Sequence, residues 1–199
     1  MPEGATNKNI SPEAQDAFDL YRFVTLPSSV REFCKIVEIY NDSIRYLFIK
    51  EFLFYKLTMA HFYYDEENEN KVLRVLDQLF LKWAHESSLV KEFFPCGPLM
   101  SVELNDRFDL YTEGLSDAST EYNYGDRESL SGALYSAFLF VVTRMHPSID
   151  IDDDKSDYPW FEIFCKFEHI LCHEFIFLHQ WMDTLRYSTH QSPKHIEKP

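Results

Sequence analysis

From Ile44 to Tyr64 the chain reads IRYLFIKEFLFYKLTMAHFYY, a stretch that is apolar almost all the way round a helix. Its polar members are Arg45, Lys50, Glu51, Lys56 and Thr58. At about 100° per residue they do not share a face. A helix without a polar face has to lie at the centre of a fold or be covered by something else. This segment therefore predicts an all-α, single-domain bundle with one or two hydrophobic central helices, wrapped by amphipathic ones.

The wrapping helices are legible by their spacing. KVLRVLDQLFLKWAHE carries Val72, Val75, Leu76, Leu79, Phe80 and Trp83 as a regular stripe. SLSGALYSAFLFVVTRM repeats the pattern through Leu130, Leu134, Ala137, Phe138, Val141, Val142 and Met145, and a last helix runs from Trp160 to about Tyr187. Ser11, Pro12 and Glu13 form a helix start: a cap, a first-turn proline and an acid at the positive helix end. Ser29 to Glu32 has the form of a capping box ahead of Phe33, Ile36 and Val37. Residues 99–114 fit either a hairpin or a helix. The helix is preferred because no glycine sits in the hairpin's turn, and Gly114 would end it. Residues 115–128 and 146–159 read as polar loops, PCGP at 95–98 as a stop. The count is six or seven helices spanning 11–187, with polar segments at 1–10 and 188–199 expected to be disordered.

The chain has 199 residues, enough for one large core, and only 5 glycines, too few for a turn-rich sandwich or barrel. Neither of the glycine-rich phosphate-loop patterns occurs. The formal charge of −14 disfavours nucleic acid and anionic membrane surfaces as partners, and favours a basic protein. Four cysteines without a CxxC pair suggest reduced thiols. No apolar leader segment and no run long enough to cross a membrane is visible. The expected setting is cytoplasmic or nuclear.

Two stretches invite chemistry. FCKFEHILCHEFIFLH, residues 164–179, holds two cysteines and three histidines. Cys165, His169 and His173 climb one side of a helix at i, i+4 and i+8, with Cys172 adjacent. Thiolate and imidazole at that spacing suit zinc. A single helix seldom closes a tetrahedral site, so His61, His85 or Cys96 would have to join. The competing reading is a core helix with satisfied histidines and apolar cysteines. DIDDDKSD, from Asp150, resembles a calcium loop, but Lys155 stands where glycine is needed and Phe161 where glutamate is needed.

No catalytic constellation emerges. The expected function is a non-catalytic interaction module, an adaptor or regulatory subunit, gripping an amphipathic and basic partner helix in a groove. Its expected lining is Tyr46, Phe48, Phe54 and Tyr55, with Trp160 and Phe161 as anchors beside the acidic loop. A zinc-stabilised or metal-dependent helical protein using Cys165, His169, Cys172 and His173 is the alternative. An obligate homodimer built through the 44–64 helix is the third.

Overall fold

A computed structural model describes residues 11–39, 42–64, 69–88, 90–91, 99–147 and 160–189. These form α1 (Pro12–Val24), α2 (Pro27–Ile36), a 3-10 turn (Val37–Ile39), α3 (Asp42–Tyr63), α4 (Glu69–Glu86), α5 (Leu99–Tyr124), α6 (Arg127–Met145) and α7 (Trp160–Thr189). Among the described residues there is no strand. The all-α bundle holds.

The central helix is the apolar one. α3 packs against α1, α2, α5, α6 and α7, so no side of it is left to water along its middle. Every residue from Glu51 to Ala60 is buried. Four helices meet there through aromatic rings. Phe33 of α2 stacks on Phe52 of α3 at 4.3 Å between centroids and lies 4.5 Å from Phe167 of α7. Phe138 of α6 meets Phe167 edge-on at 5.2 Å. Such offset and edge contacts add about 0.5–1.5 kcal/mol per pair beyond area burial.

Helix ends follow local chemistry, with one exception. Ser11 caps α1, its hydroxyl accepting from the Ala14 amide at 3.3 Å. Ser29 does not cap α2. Pro27 opens that helix after Leu26, which makes no side-chain cap. Ser29 lies within the first turn and donates to the Leu26 carbonyl at 3.2 Å. Proline has no amide hydrogen to satisfy at a first helical position, so a cap is less needed there.

Residues 99–114 are helical, as preferred over the hairpin, but Gly114 does not end the helix. α5 continues through 115–124, a stretch whose polar residues are those expected of a loop. Leu115 and Ala118 extend the buried stripe of Leu104 and Tyr111. Gly114 is instead where α5 touches α6. A Cβ there would lie 2.1 Å from the Ala137 Cβ. The real terminator is Gly125, at φ 77°, the left-handed conformation that closes a helix. Its amide donates to Tyr122 and that of Asp126 to Glu121. Asp126 then caps α6, accepting from the amides of Glu128 and Ser129 at 3.0 and 3.1 Å.

α7 buries Phe167, Leu171, Phe175, Leu178 and Met182, the stripe expected of it, and runs two residues past Tyr187. The segments at 1–10, the PCGP stop and the acidic loop from 148 to 159 lie outside the described residues, as do residues 190–199. No helix among the described residues is long and apolar enough to cross a membrane.

Candidate functional site

Two charges on α3 that fitted no polar face turn out to be buried and paired. Glu51 accepts from Arg107 of α5 through Nε at 2.7 and 2.9 Å and through Nη2 at 2.6 Å. His146, at the end of α6, meets the same carboxylate at 2.8 Å, and the Tyr111 hydroxyl reaches it at 3.3 Å. Arg107 also lies over the Phe54 ring at 4.9 Å. Burial alone would push the Glu51 carboxyl up. The hydrogen bonds from His146 and Arg107, and their charges, outweigh it and hold the group below its ordinary value. Burial, with Glu51 beside it, pushes the Tyr111 hydroxyl well up. A buried guanidinium–carboxylate pair of this kind holds helices in register, and breaking one partner is far more damaging than replacing both.

Lys56 is equally enclosed. Its ammonium donates to Glu174 of α7 at 2.6 Å and to Ser29 of α2 at 2.9 Å. It lies over the rings of Phe23 and Phe52 at 5.0 and 5.6 Å. Burial pushes Lys56 down from its ordinary value, and the Glu174 charge opposes this without cancelling it. The pair is not closed on the acid side. Glu174 Oε2 is buried and has no hydrogen-bond partner, while Oε1 is held by Lys56. A carboxylate offers about four acceptor positions, so Oε2 is left without a donor from the protein.

Glu174 also lies at an opening. A groove of about 390 Å³ runs between α1 and α7. Phe23, Leu26, Phe177 and Trp181 give it apolar walls, and Asp19 and Arg22 of α1 together with His173 add polar groups. Leu26 and Phe177 are 43% and 53% exposed, large apolar side chains facing water across a floor that includes Glu174. A second depression of about 440 Å³ lies on the other side of the same α7 ridge, toward α6, and shares His173 and Phe177.

The expected groove lining is elsewhere. Phe48, Phe54 and Tyr55 are core residues, and Tyr46 is half-buried. The Tyr55 hydroxyl donates to the Leu134 carbonyl at 3.2 Å, and its ring stacks on Tyr111 at 4.6 Å. The correction has a plain cause. From Glu51 to Ala60 the helix is buried on all sides by its own chain, so its aromatic residues there are core rather than surface. Trp160 and Phe161 open α7, but their side chains lie outside the described residues.

The Cys/His helix is divided among different tasks. His169 is exposed and pairs with Glu32 of α2 at 3.1 Å. Cys172 is half-buried against the core, and burial raises its thiol above the ordinary value. His173 is exposed on the ridge between the two grooves. The side chain of Cys165 lies outside the described residues. Among those described, no three His, Cys, Asp or Glu side chains gather where a metal could be held. His61 is engaged with Asp77 at 2.9 Å.

Glu174 is the residue the sequence reading missed. It was readable as an acid placed between Leu171, Phe175 and Leu178 on the inward stripe. Comparison with models of protein families, with curated proteins and with solved structures finds no match for this chain.

Proposed function

We propose that this chain is a non-catalytic helical interaction module that grips an amphipathic, basic segment of another protein in the groove between α1 and α7. One observation carries the reading. Leu26 and Phe177 stand half-exposed over a floor containing a buried carboxylate with an open oxygen. Apolar walls supply affinity, and a buried acid among them supplies discrimination. The chain's −14 charge attracts a basic partner from a distance.

The test is selection of random peptides of about twelve residues, long enough for a helix-in-groove ligand, against the full chain. Leu26→Asp with Phe177→Asp serves as the blocked control. Both side chains are about half exposed, so the double variant should keep its helical circular dichroism, which is checked beside its melting temperature before binding is compared. Enriched peptides should combine apolar and basic positions and bind the control about tenfold or more weakly, as expected for buried apolar anchors. No enrichment, or equal binding to both proteins, overturns the reading. A concentration-dependent dimer that the double variant abolishes would make the occupant a second copy, and overturns the reading of a foreign partner.

A further inference from the structure

We infer that the groove between α1 and α7 selects an arginine side chain, with Glu174 as the residue that determines specificity; this rests on the groove being the binding site. The two carboxylate oxygens of Glu174 are unequal. Oε1 is held by the Lys56 ammonium at 2.6 Å, and Oε2 is buried with nothing bonded to it. The side chain is only 5% exposed, and no protein donor reaches that oxygen. Glu174 is itself among the residues that line the groove. What fits is a donor on a long apolar stem.

Arginine meets the other features of the site better than lysine does. Phe177 and Trp181 are on the walls. A guanidinium is planar, is less strongly hydrated than an ammonium, and stacks on aromatic faces while an edge N–H donates sideways. One open oxygen asks for one such edge bond. A second ammonium would have to shed more water beside the charge of Lys56 for the same single bond. Lys56 is thus a positioning residue. It holds the carboxylate by one oxygen, with Ser29 and the rings of Phe23 and Phe52 fixing the ammonium in turn.

The experiment uses peptides from the selection above that lose binding to the Leu26→Asp/Phe177→Asp control. Each is resynthesised with its basic residues replaced in turn by citrulline, which keeps the shape and removes the charge, and by lysine. Fluorescence anisotropy reads the affinity for the full chain. The expected result is one arginine per peptide whose citrulline form binds about tenfold or more weakly, with lysine also weaker. Glu174→Gln alone strands Lys56 and risks unfolding, so the variant is Lys56→Met with Glu174→Leu, which replaces the buried pair by apolar volume. On this folded variant the arginine and citrulline forms should bind within about threefold of each other. Groove-dependent peptides that need no arginine, that accept lysine without loss, or that keep their preference on the double variant overturn the inference and leave the interaction module standing. Absence of any groove-dependent peptide overturns the module itself.

Discussion

Glu51 and Lys56 lie five residues apart on α3, both fully buried, and each closes on an opposite charge from a different helix: Arg107 of α5 and Glu174 of α7. Five residues turn a helix by about 140° beyond one full circle, so the two pairs point to different sides. One ties α3 to α5 and, through His146, to the end of α6. The other ties it to α7 and, through Ser29, to α2. A helix that is greasy on every side has no preferred rotation from hydrophobicity alone. Two buried charges at this angle supply one.

Breaking either pair from one side should be severe. Glu51→Gln leaves Arg107 buried without a counter-charge, and Lys56→Met does the same to Glu174. Each should lower the urea-derived stability by roughly 3–5 kcal/mol. The paired replacements Glu51→Met/Arg107→Met and Lys56→Met/Glu174→Leu should recover most of it. Single variants as stable as the parent would mean that these charges are not buried in solution.

Acid should weaken the fold in a definite window. The Glu51 carboxyl is held below its ordinary 4.5, so the folded state gives up that proton more readily than the unfolded chain. Its contribution is complete above about 4.5 and is lost as pH falls through the folded value. Asp126, lowered chiefly by the Ser129 amide, adds to the loss, and Asp16, raised by burial, opposes it. Urea midpoints measured from pH 7 down to 3 should fall below 4.5, and less steeply in His146→Ala. A flat profile would contradict the Glu51 cluster.

Three glycines should respond to alanine with different signs. At Gly114 a new Cβ would meet the Ala137 Cβ at 2.1 Å and its Cα at 3.1 Å, so Gly114→Ala should destabilise by about 1–3 kcal/mol or more and be partly rescued by Ala137→Gly. Gly125 has open space but a φ of +77°, so Gly125→Ala should lose about 1 kcal/mol from backbone strain alone. Gly132 has neither obstacle, and Gly132→Ala in α6 should stabilise by about 0.5–1 kcal/mol. Thermal melts of the three variants read the order directly.

Thiol chemistry should be slow. Burial pushes both Cys34 and Cys172 above their ordinary 9.0. The thiolate is the reactive form. In single-cysteine variants at pH 8, disulfide reagents should label each about tenfold or more slowly in the native state than in urea. Protection of Cys172 by added zinc would instead place it among metal ligands, because a bound metal must displace the thiol proton.

How much was legible divides by the range of the interaction. Val72, Leu76 and Phe80 on α4 and the inward face of α7 are local and were revealed by periodicity, though Val75 of the expected stripe is exposed; the Ser11 cap was legible from residue type. The end of α5 was misread at Gly114, because a glycine that terminates a helix and one that lets two helices touch look alike in sequence. Only Ala137, which lies 23 positions away on α6, distinguishes them. Ser29 is not a cap for a local reason, since Pro27 starts the helix two residues earlier, but its bond from Lys56 of another helix was not legible.

The sequence by itself determined the class of the fold. A segment with no polar face demands burial on all sides, and amphipathic helices are the cover it comes with. It also held the clue to the buried pairs, since a charge on such a segment has to find a partner. Only the tertiary structure decided which partner, and which surface stayed open. Phe48, Phe54 and Tyr55 of α3, which suggested a groove, went into the core. The groove took its lining from α1 and α7, because burial depends on how the helices are arranged in space, and the order of residues along one helix carries no record of that.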